Sequence, residues 1–297
     1  MAGCEALPGW FCRFPAIPRE TLAGARRAID LGFRQAVRDA APLIDAAVAP
    51  LQLLLNRLEN AFTDTPWPVV FLALLAVVEA AGRDARVTAG TAVGLGLLGW
   101  LGLWEDTMVT LAMVAFATLA AIVTGLPLGV LSGRSNRTRA ILTPILDVMQ
   151  TLPSFVYLIP VVVIFGIGRV PGLIAVTLYA VPPLIRLTDL GLRSVPAELR
   201  RAAVGLGASP RQRLWRVDLP LALPGIMAGI NQTIMMALSM VVVASMVGVG
   251  GLGRNVLQAI NNQFFTAGAL NGLALVALAM IFDRTARAVA RRHDHRR

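Results

Sequence analysis

The side chains that most often do chemistry in enzymes are scarce in this sequence. Its 297 residues contain no lysine, because all 27 basic residues are arginine. A P-loop needs a lysine to reach the nucleotide phosphates, and Schiff-base catalysis needs an amine. The chain therefore encodes neither kind of site, and we predict no catalytic residue on it.

Histidine and cysteine add little to this inventory. His293 and His295 lie in the terminal RRHDHRR, so the usual general base is absent from the apolar part of the chain. Cys4 and Cys12 stand at a spacing that matches no metal motif. We predict no metal site, with weak metal binding by the terminal tail as a minor alternative.

Gly248, Gly250 and Gly253 have the GxGxxG spacing of a dinucleotide-binding loop. Such a loop follows a strand, and an acidic residue follows it about twenty residues on. Here a long apolar stretch precedes the glycines, and the next acidic residue is Asp283. We therefore reject a nucleotide site and predict a flexible turn between two membrane spans.

The elements that carry these residues are apolar. Hydrophobic residues make up 56% of the chain and charged residues 15%, against roughly 25% charged residues in a typical soluble domain. A membrane span needs about 17 to 25 mainly apolar residues. The predicted fold class is all-α, a polytopic membrane helix bundle with about seven transmembrane helices at residues 67–82, 87–103, 107–131, 141–167, 171–190, 220–247 and 267–284.

Two patterns inside these spans have structural interpretations. Gly90 and Gly94 have the GxxxG spacing that lets helices approach closely, so the second span is expected inside the bundle. Charged residues one helical turn apart are expected to form ion pairs along their own helices. These pairs are Glu79 with Arg83 and Arg186 with Asp189.

Residues 1–66 differ from the rest, because arginines and acidic residues balance there. Apolar residues in this part recur at alternating four- and three-residue steps, which is one stripe of a helix. The stripe is Ile44, Val48, Leu51, Leu55, Leu58 and Phe62. The predicted organisation is an N-terminal segment 1–66, whose amphipathic helix lies on the membrane or on a partner, a transmembrane domain 67–285 and a basic tail 286–297.

Arginines cluster in alternate loops, at 83–86, 134–139, 186–216 and from 284 onward, whereas the other loops hold only Arg169 and Arg254. Cytoplasmic loops of membrane proteins carry the excess of basic residues. We predict an inner-membrane protein with an extracytoplasmic N-terminus and a cytoplasmic C-terminus. Topology thus explains the net charge of +10, and no nucleic-acid partner is predicted.

The cytoplasmic loop 191–219 is too long and too patterned for a simple connector. Small side chains at Ala202 and Ala203 let a short helix sit in a groove of another protein, Gly207 ends or bends that helix, and Pro220 opens the next span. With Leu219, these residues have the spacing of the EAA loop of bacterial ABC importers, and the chain resembles that family. An ordinary amphipathic cytoplasmic helix is the alternative.

The resemblance implies a coupling helix that docks on a separate ATPase subunit. ATP and Mg²⁺ would then be bound by that partner, with no cofactor on this chain. One departure concerns the motif's glutamate, which is Arg201 here, although Glu198 lies one turn upstream. Arg201 changes the polar contact that the family's glutamate makes with the ATPase.

Longer strings are more specific than the EAA loop. DVMQTLPSFVYLIPVVVIFGIG at Asp147–Gly168, PPLIRLTDLG after Val181 and NQTIMMALSMVVVASMVGVGGLG from Asn231 resemble the membrane subunits of glycine betaine/proline betaine/choline ABC importers. The likeness runs from about Trp67 to Arg287. It implies the type I permease fold, a second copy of the permease, and an extracytoplasmic substrate-binding protein that captures the osmoprotectant.

Three residues within the spans are candidates for the substrate path. Tyr157 offers a ring face to a quaternary ammonium, and Asn231 and Gln232 are polar inside a span. Ordinary packing is the alternative for all three. The alternative functions are an ABC importer permease for another small solute such as an amino acid and, from another class, a secondary transporter, although neither inverted repeats nor proton-carrying carboxylates are evident.

Overall fold

The computed structural model describes residues 19–292. Every regular element in this range is a helix, which confirms the predicted all-α class. The chain divides into two units, residues 1–48 and residues 49–297. Within the described range, the first unit is the beginning of α1 (Arg19–Thr63), and most of its side chains are exposed.

The second unit begins inside α1, at Ala49, whereas the sequence placed a boundary at residue 66. The apolar stripe explains this difference, because Leu55 is 1% exposed in the main hydrophobic core and Phe62 packs against the same core. Glu59, one helical turn after Leu55, is also buried and accepts a hydrogen bond of 2.8 Å from Arg169. This part of α1 therefore packs against the chain's own bundle.

The bundle contains eleven further helices within residues 19–292. They are α2 (Trp67–Gly82), α3 (Ala85–Trp100), α4 (Trp104–Arg134), α5 (Asn136–Thr151), α6 (Leu158–Phe165), α7 (Arg169–Arg193), α8 (Ala197–Gly205), α9 (Pro210–Arg213), α10 (Leu219–Ala244), α11 (Leu252–Asn261) and α12 (Phe265–Arg292). Four helical stretches are long and apolar enough to cross a membrane alone: α4, α7, Pro210–Val247 and α12. Counting two bent helix pairs as single spans raises the number to six.

The predicted span 141–167 is wrong in one respect, because it is not continuous. α5 ends at Thr151, a 3₁₀ turn covers Ser154–Tyr157, and α6 continues at an angle of 113° to α5. Leu152 has an extended conformation (φ −68°, ψ 131°) because the following Pro153 disfavours the helical region for the residue before it. The proline thus breaks the span into two short helices.

Glycines set the spacing of the central helices, α4 and α7. An ideal Cβ at Gly129 would lie 2.6 Å from the Cβ of Thr188, and one at Gly125 would lie 2.6 Å from Val181. These glycines recur every four residues on α4, so its backbone approaches α7 closely. On α3, a Cβ at Gly90 would meet nothing within 4 Å, whereas one at Gly94 would lie 3.2 Å from Ile281 on α12. Of the two glycines in this span, only Gly94 therefore faces another helix, and α3 has one buried face and one exposed face.

Contacts at and near the helix termini define two ends of the bundle. At one end Arg291 pairs with Asp84 at 3.1 Å, and Arg193 donates to the carbonyl of Ser132 at 2.9 Å. At the other end, the Gly168 N–H donates to the carbonyl of Val247 at 2.8 Å. The arginine-rich loops thus share one end, as their alternation along the sequence predicts.

Candidate coupling surface and translocation path

The helix α8 ends in a tight reversal at Gly207. The Gly207 N–H donates to the carbonyl of Val204 at 2.9 Å, and the Ala208 N–H donates to the carbonyl of Ala203 at 3.0 Å. This pair of bonds is the Schellman motif, which places its turn residue in the left-handed region. Gly207 has φ +79°, a conformation that costs glycine nothing. The predicted role of Gly207 in ending this helix is confirmed.

Asp218 holds the start of α8 to the entry of α10. Its carboxylate is buried and lies 3.0 Å from Nε of Arg200 and 3.4 Å from Nε of Arg213. Arg200 also donates to the carbonyl of Leu192 at the end of α7. One carboxylate therefore joins α8, the segment after it and the following span.

The chain between α9 and α10 is wound more loosely than an α-helix. Residues Leu214–Asp218 form a π-turn, and the Leu219 N–H donates to the carbonyl of Leu214. Pro220 follows directly and has no N–H to offer the preceding turn. The α-helix proper, α10, begins at Leu219 with Pro220 in its first turn, as predicted, and the π-turn joins it to α9 in one helical stretch, Pro210–Val247.

The exposed surface at α8 and the turns that follow it carries apolar and charged side chains. Leu206, directly after α8, is 89% exposed, and Trp215, in the π-turn, is 70% exposed. Glu198, Arg201 and Ala202 are exposed, and Ala203 and Leu219 are half-buried. Neither Glu198 nor Arg201 forms an ion pair within the part of the chain that the structure describes. Most of the predicted coupling residues are thus exposed, and Glu198 and Arg201 have no ion-pair partner within residues 19–292.

The candidate path residues lie apart from one another. Tyr157 is 8% exposed, its hydroxyl donates to the carbonyl of Met149, and its ring meets Tyr179 edge-on at 5.6 Å. Asn231 instead donates to Asp283 on α12 at 3.0 Å, and Gln232, next to it on α10, is exposed. Tyr157 and Asn231 therefore join helices within the bundle and share no contact with each other among the described residues.

The two predicted ion pairs along single helices are wrong. Arg83 leaves the helical conformation, with φ +47°, so its side chain does not follow the α2 surface toward Glu79, which accepts from Thr88 at 2.6 Å instead. Arg186 pairs with Asp147 on α5. Asp189 pairs with Arg193 at 2.9 Å and with Arg139 at 3.5 Å. The pairs Arg186–Asp147 and Arg139–Asp189 join α5 to α7, whereas Asp189–Arg193 lies along α7 itself.

A protein-family model described as "Binding-protein-dependent transport system inner membrane component" matches residues 125–295. The chain belongs to this family. Its fold is that of the ABC importer permeases: a chain of the inward-facing MetNI methionine ABC transporter has a TM-score of 0.59 and 25% identity, covering 67% of this permease and 98% of that chain.

Curated relatives have higher identities to this permease. The glycine betaine/proline betaine transport system permease protein ProW of Escherichia coli is 46% identical over 250 residues, which is 84% of this chain and 70% of the relative. The glycine betaine/carnitine transport permease protein GbuB of Listeria monocytogenes is 45% identical over 225 residues, covering 75% of this chain and 80% of the relative.

The glycine-rich turn between α10 and α11 of the permease is packed, not flexible, so that expectation is wrong. Val249 and Leu252 are fully buried, and the Leu252 N–H donates to Thr110 at 2.9 Å. An ideal Cβ at Gly253 would lie 2.8 Å from the carbonyl of Val241. The glycines are required because the turn closes directly onto α4 and α10.

Sequence reasoning missed the most connected residues of the permease's coupling region. Arg200, Arg213 and Asp218 were not singled out, because the family motif emphasises the alanines, Gly207 and the leucine–proline pair. A signal was present, since Asp218 is a carboxylate directly before the apolar run LPLALP. A carboxylate at that boundary needs a cationic partner when it is buried.

Proposed function

We propose that this permease is the membrane subunit of an ATP-driven importer of quaternary-ammonium osmoprotectants such as glycine betaine, proline betaine or choline. The observation that carries the proposal is the surface of α8. Asp218 and the reversal at Gly207 fix the helix from within the chain. Its exposed apolar and charged side chains remain free to bind a second protein.

The partner of this surface is an ATPase subunit. The sequence has no lysine and therefore no P-loop of its own, so ATP and Mg²⁺ would be bound by the partner. Two copies of the permease would enclose the path, and a substrate-binding protein would deliver the solute. The family description, which refers to binding-protein-dependent transport, supports this assembly.

The substrate class rests on the curated relatives. Relatives 45% and 46% identical are named for glycine betaine, proline betaine and carnitine. The methionine transporter is a more distant likeness at 25% identity. We therefore expect a solute with a quaternary ammonium rather than an ordinary amino acid.

The proposed orientation places α8 in the cytoplasm, where the ATPase would be. The arginine-rich loops lie at the same end of the bundle as α8, because Arg200 reaches the last turn of α7 and Arg193 reaches the last turn of α4. Basic loops are retained on the cytoplasmic side. The C-terminus would then be cytoplasmic, and the turn before α2 would face the outside.

Reconstitution tests the transport proposal. The permease would be placed in proteoliposomes with its ATPase and binding protein, and uptake of radiolabelled glycine betaine, choline and methionine compared. We expect ATP-dependent uptake of a quaternary-ammonium solute and none of methionine. Uptake of methionine alone would favour the amino-acid alternative, and ATP hydrolysis by the isolated permease would contradict the assembly.

An Asp218→Asn variant tests the coupling surface in the same vesicles. The amide keeps the shape of the carboxylate but loses its charge, which leaves Arg200 and Arg213 without a counterion at a cost of about 2 kcal/mol. We expect normal insertion with reduced uptake and reduced copurification of the ATPase. Wild-type values of both would mean that α8 does not depend on this contact.

A further inference from the structure

A cavity of about 830 Å³ opens at the end of the bundle opposite the arginine-rich loops. It lies between α2, α3 and the first turn of α4, away from α8. Four aromatic side chains and two carboxylates dominate its lining: Trp67, Phe71, Trp100, Trp104, Glu105 and Asp106. None of the transport residues discussed above belongs to it.

Three of the rings form a cluster without stacking. The centroids of Trp67, Phe71 and Trp104 are 6.4 Å apart in each pair, and the Trp67 plane is inclined by 73° to Phe71 and by 76° to Trp104. In such inclined pairs the edge of one ring meets its neighbour, so the cluster does not bury all of its faces against itself. Trp67 remains 62% exposed.

The two carboxylates make the cavity acidic. Asp106 accepts a hydrogen bond of 2.6 Å from Asn255, which orients it without neutralising it. Glu105 forms no ion pair within residues 19–292. No arginine among residues 19–292 lines the cavity, although arginine is the commonest charged residue of the chain. Within this described range, the carboxylates therefore have no cationic partner.

We propose that this cavity binds a quaternary-ammonium group. Ring faces attract such cations, with tryptophan the most favourable ring, and the carboxylates add charge attraction. A quaternary ammonium donates no hydrogen bond, so it suits walls made of rings and glycines. An interfacial belt of aromatic residues would account for the tryptophans, but it requires neither a cavity nor adjacent carboxylates.

The same acidic lining determines which quaternary ammonium fits. Choline carries one positive charge and no carboxylate, whereas glycine betaine brings a carboxylate that Glu105 and Asp106 would repel. The site thus favours a plain cation such as choline over a betaine, and its lining shares no residue with the candidate substrate path. The cation can come from solution or from the choline headgroup of a lipid.

Direct binding tests the proposal. The full chain would be placed in nanodiscs without choline lipids and titrated with radiolabelled choline. We expect saturable binding, competition by tetramethylammonium, and an affinity for glycine betaine roughly tenfold or more lower. In nanodiscs of phosphatidylcholine, loss of choline binding would identify the headgroup as the natural occupant. Retained binding there would identify a soluble cation.

Variants locate the bound cation. Gly96 lines the cavity, and a Cβ built on it meets nothing within 4 Å, so Gly96→Leu should fill the space without disturbing the helix and abolish binding. Gly90 on the same helix is equally open and does not line the cavity, so Gly90→Leu is the matched control. Trp104→Leu and Glu105→Gln should each weaken choline binding roughly fivefold.

Two results would overturn the proposal. One is the absence of saturable choline binding to the wild-type chain in nanodiscs without choline lipids. The other is a choline affinity that is the same in Gly96→Leu as in Gly90→Leu, because the cation would then bind elsewhere. Neither result would contradict the transport proposal, because that proposal is tested by measuring solute uptake and not by choline binding.

Discussion

Gly207 and Asp218 act on opposite ends of α8, one through the backbone and the other through charge. The positive φ of Gly207 lets the Schellman bonds close, and the Asp218 carboxylate holds Arg200 near the start of the helix. Both act on the position of α8 rather than on its contact with a partner. Substitutions at Gly207 and Asp218 therefore test whether the position of α8 matters. Substitutions at Arg201 test the contact between α8 and the ATPase.

Replacing Gly207 by alanine should weaken coupling through the backbone alone. No atom lies within 4 Å of an ideal Cβ there, so crowding within the chain is absent, but the left-handed conformation costs a residue with a Cβ about 1 kcal/mol or more. We expect reduced uptake with normal insertion. Gly207→Asn should retain more activity, because asparagine tolerates this region.

Gly205 supplies the control for Gly207. It is the last residue of α8, has no positive φ and is equally open around its Cβ position. Gly205→Ala should leave uptake unchanged or slightly raise it, since alanine favours the helix. Equal loss of uptake in Gly205→Ala and Gly207→Ala would show that added bulk, rather than backbone conformation, limits coupling.

Arg201 is exposed and has no charged partner among residues 19–292, so its charge is available to the ATPase. We expect an acidic residue of the ATPase to match it. Arg201→Glu should then weaken copurification of the ATPase, most clearly at low salt, where surface charges are least screened. Unchanged or improved uptake by Arg201→Glu would show that no acidic residue of the ATPase pairs with Arg201.

At the scale of helices, the packing of α4 on α7 depends on glycine. A Cβ at Gly129 would lie 2.6 Å from Thr188 and 3.0 Å from the backbone oxygen of Ile185. The backbone oxygen cannot rotate away as a side chain can. Relief of the clash therefore requires the two helices to separate.

Gly129→Ala should accordingly destabilise the purified permease by about 1–3 kcal/mol, the usual cost of overpacking. The measurement is the midpoint of thermal unfolding in detergent. Gly90→Ala is the matched variant, and it should be neutral or stabilising because its Cβ position is open and alanine is the better helix former. A midpoint for Gly129→Ala equal to that of Gly90→Ala would contradict the close approach.

At the scale of the whole molecule, the distribution of arginine predicts the topology. A reporter fused after Arg297 should be cytoplasmic. In a variant with Cys4 and Cys12 replaced by serine, a cysteine at Asn60 should react with an impermeant reagent added outside, because Asn60 is exposed beside Glu59 near the outer end of α7. A cysteine at Ala140 should be protected, and labelling of both or neither would contradict the orientation.

The family and its fold were predictable from the sequence because both depend on local patterns. Span length follows from runs of apolar residues, the sidedness of the loops follows from arginine counts, and the EAA spacing stands within one short segment around Ala202, Gly207 and Pro220. Gly207 could be assigned a role in ending α8 because a helix terminus is a local event. Each of these features requires only neighbouring residues.

The partners of individual side chains were decided by the tertiary structure. Arg186 forms an ion pair with Asp147 on another helix rather than with Asp189 one turn away. Asp218 forms ion pairs with Arg200 and Arg213 only because α8 folds back over the entry of α10. The sequence shows how residues are spaced along one helix, but not which faces of different helices meet. Ion pairs, close glycine contacts and the acidic aromatic cavity all arise where such faces meet, so they required the fold.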